Sequence, residues 1–274
     1  GSIYGNQIKY SESSSPWLDH AIHEPDDVRK LIARMEKADL AKAGLVPEFV
    51  RRYKALDRPN RWRIEHDTTA VHGPGTILSF LFGISDFMFF LYDEPELAKE
   101  LIALVARLTV EYSRTVRRLT GGPPDGVSFF DDVSGLVSPD LFEEFLLPAY
   151  ELIFGELASS PGADRFLHND ARVGHLLPFF RRLGVNGINP DPETPPRMIR
   201  DGLPNAIIYG CVPPLLLKSG TPEEIYLACK GIIDEIGRDG GLVLTTAGSI
   251  NAGTPYENIL ALCYCAQEYG RLAG

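Results

Sequence analysis

Two short segments bring imidazole and carboxylate groups to places where chemistry is done. In FLHNDARVGH, His168 ends an apolar run and Asp170 follows two residues later. This His-x-Asp spacing lets both side chains face one point across a loop, as a metal-ligand pair or an acid–base pair must. A histidine at a strand end also serves as a hydrogen-bonded structural residue. Asn169, between the two, is a candidate for substrate contact, and His175 falls in the following helix, where a supporting role is expected. In FFDDVSGLVSPDLFEEFLLPAY, Asp131 and Asp132 stand at the end of another apolar run. Adjacent residues of a strand point to opposite sides, so at most one of these carboxylates faces the interior of the sheet. That one contacts substrate or metal; the alternative is that an acid here caps a loop or pairs with an arginine.

Three further segments place small or reactive residues after apolar runs. His72 precedes Gly73 and Pro74 in HGPGTILSFLFG, where the glycines permit close backbone approach to a ligand. The spacing matches neither a phosphate-binding loop nor a dinucleotide fingerprint. Cys211 follows Gly210 in IYGCVPP, a functional location for an isolated thiol that packing explains equally well. The loop GSINAGTPYEN, residues 248–258, offers Ser249 and Asn251 to a substrate. Thr254, Pro255 and Glu257 read as N-cap, first helical residue and first-turn acid of the helix that follows.

The elements that must position these groups alternate regularly. Strands are expected over Arg63–Val71, Gly126–Phe130, Arg165–His168, Val185–Asn189, Ala206–Tyr209 and Leu242–Thr246. Helices are expected over Pro95–Leu119, Pro139–Leu157, Gly174–Leu183, Pro195–Asp201 and Thr221–Gly237. Before them lie a polar extended piece at Ile8–Ser11, the Ser-rich SESSSP, and helices from Glu24 and over Val46–Leu56. Successive strand–helix units imply an α/β fold with a parallel sheet, a (β/α)₈ TIM barrel read as one domain over residues 1–274. A closed barrel takes eight strands. The pattern supplies six, so the first strands are expected to be absent from this chain, with an open barrel or completion by another chain as alternatives.

Composition narrows the partners. The chain has 274 residues, 44% of them apolar, enough for a large core. Its formal charge is −10, with no basic run, which argues against nucleic acid or an anionic membrane surface as partner. No apolar run approaches the ~20 residues that span a bilayer. Cys211, Cys229, Cys263 and Cys265 do not make a secreted disulfide framework, so a reduced, cytoplasmic setting is expected. Cys263 and Cys265 are expected to be packing residues.

Taken in order, seven segments resemble the uroporphyrinogen decarboxylase superfamily, and most of all its cobalamin-dependent methyltransferases of the methylcobalamin:coenzyme M type. They are HGPGTILSFLFG, LYDEPELAKELI, FFDDVSGLVSPDLFEEFLLPAY, FLHNDARVGHLLPFF, GVNGINPDP, IYGCVPPLLLKSGTPEEI and AGSINAGTPYENILAL. The resemblance implies a (β/α)₈ barrel whose first two strands precede the region where this chain begins. It also implies zinc, which in that branch binds a thiol and makes the thiolate that takes a methyl group from a corrinoid. The family's ligands are a His-x-Cys pair after one strand and a cysteine in the last strand-to-helix loop. His168 matches the first; Asp170 and Gly248 stand at the two cysteine positions.

The resemblance thus implies a methyltransferase of one-carbon metabolism, acting on a small molecule with methylcobalamin or a corrinoid protein as partner, and a possible homodimer. His168 and Asp170 would hold metal or acceptor, Asp131 or Asp132 would orient it, and His72, Asn169, Cys211, Ser249 and Asn251 would line the substrate site. The alternatives are a metal-independent decarboxylase or lyase acting on a carboxylated substrate, and a non-catalytic corrinoid-binding barrel.

Overall fold

Short runs of apolar and aromatic residues make the strands of the parallel sheet, and prolines stand at or beside the starts of most helices that follow them. In the computed structural model, residues 1–10, 17–61 and 69–271 are described. The chain divides into two compact units, Gly1–Val133 with Asp140–Ala163, and Ser134–Pro139 with Asp164–Gly274.

The first unit opens with a small antiparallel pair, β1 (Ile8–Lys9) and β2 (Trp17–Leu18). Helices α1 (Pro25–Met35) and α2 (Val46–Ala55) follow at the expected places. Strand β3 (Ala70–His72) pairs in parallel with β4 (Val127–Phe130), with His72 opposite Phe130. Most of the run expected to form the first strand, residues 63–69, precedes the observed β3, and residues 62–68 lie outside the described residues, as does SESSSP. Between β3 and β4 run α3 (Pro74–Phe82), α4 (Ile84–Asp93) and the long α5 (Pro95–Thr120). Helix α6 (Leu147–Leu157) packs its Tyr150 and Phe154 on Phe129 of β4, with ring centroids 4.5 and 5.3 Å away.

The expected helix Pro139–Leu157 is not continuous: a π turn, Phe142–Leu146, interrupts it before α6. The cause is Pro148, which has no amide hydrogen to give the carbonyl four residues back and whose ring crowds that turn.

The second unit holds four parallel strands in chain order, β5 (Arg165–His168), β6 (Gly187–Asn189), β7 (Ile207–Val212) and β8 (Leu242–Thr246). Leu167, Ile188 and Ile208 are fully buried on one face of this sheet. Residues alternate along a strand, so His168 and Asn189, the next residues of β5 and β6, stand on the other face. Helices α7 (Leu177–Arg182), α8 (Pro196–Gly202), α9 (Pro214–Ser219), α10 (Pro222–Ile232) and α11 (Tyr256–Glu268) connect and follow the strands. Helix α9 was not expected, because Pro213-Pro214 reads as a turn; Pro214 in fact occupies a first-turn position, where its missing amide hydrogen costs nothing.

Two helix starts that look alike in sequence differ in the structure. At α10, Thr221 Oγ1 accepts from Glu224 N (3.3 Å) while Thr221 N donates to Glu224 Oε2 (2.8 Å), a complete capping box. At α11, Pro255 rather than Thr254 is the N-cap. Thr254 instead donates its hydroxyl to Asn251 O at 2.8 Å, closing the preceding loop on itself. Cys265 packs as expected, but Cys263 is exposed, since two residues along a helix turn a side chain away from the buried face. Among the described residues no single helix is long and apolar enough to cross a membrane; α3 and α4 are bent by 103°.

Candidate functional site

The second unit gathers the ends of its strands around Asn189. His168 and Asn189 are register partners at the ends of β5 and β6. His168 Nδ1 and Asn189 Oδ1 lie 2.8 Å apart. The amide nitrogen of Asn189 donates to Tyr209 O of β7 and, at 3.0 Å, to Thr246 O of β8. Its oxygen accepts from Gly248 N at 3.2 Å. One side chain therefore ties together β6, β7, β8 and the loop after β8, and holds the imidazole of His168 against them.

Asp170 stands on the other side of that imidazole. Its Oδ1 lies 3.4 Å from His168 Nε2, and the two side chains are 54% and 15% exposed, respectively. Gly248 completes the arrangement by having no side chain. An added Cβ there would lie 2.4 Å from Asp170 Oδ1, and its φ of +85° is a conformation that favours glycine. Thr246 Oγ1 donates to Gly248 O at 2.6 Å and pins the turn. Asp170 thus fills the space that a side chain at position 248 would need.

The donor chemistry tests which ion could sit here. Tetrahedral zinc with bonds of about 2.0 Å separates two ligand atoms by about 3.3 Å, close to the 3.4 Å between His168 Nε2 and Asp170 Oδ1. The pair fits a divalent ion held by nitrogen and oxygen. It does not reproduce a sulfur cage, because no thiol stands at position 170 or 248. Cys211 does not supply one: it lies inside β7, only 6% exposed, and burial, followed by the charges of Glu235 and Asp191, pushes its thiol up to about 12. Cys211, expected to contact substrate, is thus placed as a buried residue inside β7.

Asn169 is fully buried, donating to Ser134 Oγ at 2.9 Å and accepting from Ala171 N at 2.8 Å, and it shapes the loop after β5. His175 Nε2 donates to Val137 O at 2.9 Å, the supporting role expected of it. Ser249 and Asn251 are exposed on the loop after β8.

In the first unit, Asp131 is 0% exposed, and its carboxylate accepts from Thr76 N (2.6 Å), Gly75 N (3.2 Å) and Tyr150 Oη (2.9 Å). It caps the N-terminus of α3 from a neighbouring strand, and Gly73 leaves it room: a Cβ there would come within 2.3 Å of Oδ2. Burial pushes Asp131 up to about 6, against the hydrogen bonds that pull it down. Asp131, expected beside substrate, is placed here as a cap. Asp132, half-buried, opens the 3₁₀ turn Asp132–Leu136 that follows β4. His72 packs edge-on against Phe80 at 5.7 Å. Asn189 is the functional residue that sequence reading passed over. Its signal was present: a polar residue ending an apolar strand, as His168 does.

Residues 2–269 match the family model described as uroporphyrinogen decarboxylase (URO-D). The chain belongs to the uroporphyrinogen decarboxylase family. Its similar proteins carry two kinds of activity. It is 25% identical over 182 residues to the methylcobamide:CoM methyltransferase MtbA of Methanosarcina acetivorans, covering 65% of this chain and 51% of that protein. It is 26% identical over 200 residues to a methylated-thiol–coenzyme M methyltransferase of Methanosarcina mazei, with 71% and 51% covered. It is also 26% identical over 212 residues to the uroporphyrinogen decarboxylase of Agrobacterium fabrum, with 76% and 58% covered. The chain thus spans about half the length of the curated relatives it matches. A solved methyltransferase from Methanosarcina mazei superposes with a TM-score of 0.77 at 21% identity, over 98% of this chain and 77% of that one. The fold is that of the α/β TIM barrel, represented here by six parallel strands.

Proposed function

We propose that the chain is a methyltransferase that moves a methyl group between a corrinoid carrier, or a methylated small molecule, and a small acceptor, with a divalent ion held by His168 and Asp170. The observation that carries this reading is the 3.4 Å spacing of His168 Nε2 and Asp170 Oδ1 at strand ends, in a family that includes corrinoid methyltransferases. A bound zinc ion would supply Lewis acidity and lower the pKa of an acceptor that reaches it. The protein's own share is positional. Asn189 sets the plane of the imidazole, Asp170 brings the negative charge that favours a cation, and Gly248 leaves that carboxylate its place. Ser249 and Asn251, exposed on the adjoining loop, are the residues proposed to meet substrate.

Nitrogen and oxygen ligands leave an ion harder than two thiolates would, so the acceptor need not be a thiol. The loss of both sulfur positions also favours a second reading, a metal-independent decarboxylase, in keeping with the decarboxylases among its relatives. Zinc titration by calorimetry, paired with transfer from methylcobalamin to thiol and oxygen acceptors, separates the two. The methyltransferase reading expects about one ion per chain and loss of binding and transfer in His168→Ala. Absence of binding, with carbon dioxide released from a carboxylated substrate and indifference to chelators, would overturn it.

A further inference from the structure

The hydrogen-bond pattern around Asn189 contains more than an anchor, because its backbone partners leave no choice of role. Tyr209 O and Thr246 O are carbonyls and can only accept; both lie against the amide nitrogen. Gly248 N carries a hydrogen and can only donate, and it lies against the amide oxygen. Turning the amide over would set its oxygen against two carbonyls and its NH₂ against an N–H, losing every one of these bonds. The backbone of β7, β8 and the following loop therefore assigns the two ends of the amide, independently of any histidine. The oxygen so assigned is the atom 2.8 Å from His168 Nδ1. An amide oxygen has no proton to give, so Nδ1 must carry one.

We infer that Asn189 is a positioning residue that keeps a proton on Nδ1 of His168 and turns Nε2 toward Asp170. The opposite tautomer would point the Nδ1 lone pair at an oxygen already oriented by three backbone groups, setting two acceptors face to face with no hydrogen between them. This is not the form that a neutral histidine in water favours, so the strand ends impose it. The consequence lies at Nε2. The carboxylate oxygen of Asp170 lies 3.4 Å from it. A proton or a cation is favoured between the two, and an anion is disfavoured. An outer hydrogen bond that fixes the ring in this way is what a metal-binding or proton-accepting histidine requires. The assignment stands apart from the methyl-transfer reading, since it concerns one proton in the metal-free protein.

The test is ¹⁵N–¹H long-range correlation NMR on the metal-free protein labelled at its six histidines. A His168→Gln spectrum identifies the missing signal set. The wild type is expected to show His168 with a protonated-type Nδ1, as a single species. Asn189→Leu is expected to reduce the Nδ1–H form to a minority, while Asn189→Asp, which keeps an acceptor oxygen toward the ring, retains it. A wild-type spectrum with an unprotonated-type Nδ1, or of an averaged mixture, overturns the inference. So does an unchanged pattern in a folded Asn189→Leu. If Asn189→Leu does not fold, the wild-type spectrum still decides. A merely structural Asn189 would change the melting temperature and leave the nitrogen pattern as it was.

Discussion

Asp131 and Asp170 are both aspartates at the close of a parallel strand, one in each unit, and they do opposite things. Asp131 is sealed from solvent, and two backbone amides and a tyrosine hydroxyl donate to it. Asp170 is more than half exposed and faces an imidazole nitrogen. The difference lies in what the following backbone offers. Beside Asp131 is the start of α3, whose first amides have no partner inside the helix and take a carboxylate as cap. Beside Asp170 is Gly248, which offers room and no donor to that carboxylate. A strand end supplies a location for chemistry; the neighbouring amides decide whether an acid placed there is sealed into the fold or held at its surface.

The largest effect that tests this contrast is Asp131→Ala. It leaves two amides and the Tyr150 hydroxyl without their acceptor and is expected to cost about 3 kcal/mol or more, read from urea unfolding. An unchanged midpoint would erase the distinction.

Acid sharpens it next. The carboxyl of Asp131 titrates near 3.8 when unfolded and about 6 when folded. Between those values the folded chain holds the extra proton, so this group's contribution is full at low pH and is lost as pH rises through that window. Asp131→Asn is expected to flatten that fall in unfolding measured across pH 4–6.

A smaller effect is expected of Gly248→Ala, about 1–2 kcal/mol from the positive φ and the displaced Asp170. Repeating it in an Asp170→Gly background should recover the steric part, and additivity in that double-mutant cycle would deny the contact. Asp170→Ala alone should change stability by less than about 0.5 kcal/mol while abolishing zinc binding in calorimetry. A large loss of stability would make Asp170 a second Asp131.

Much of this was legible in the sequence, for identifiable reasons. Strand ends showed because apolar runs stop at polar residues, and His168 with Asp170 showed because their spacing is local. Thr221-Pro222-Glu223-Glu224 gave a capping box because all its partners lie within one turn. What stayed hidden depends on distant backbone. Asn189 draws its role from carbonyls 20 and 57 positions away. The fate of Asp131 was set by amides 55 and 56 positions earlier. Local pattern names the residues, and long-range hydrogen bonding assigns them.

The fit of Asp170 against Gly248 also couples the two positions. A side chain at 248 must displace the carboxylate at 170, whereas a glycine at 248 leaves 170 open to many residues. What either position tolerates therefore depends on what stands at the other, and a side chain at 248 is accepted most readily where 170 is small. The coupling rests on a single contact between an oxygen and the place where a carbon is missing.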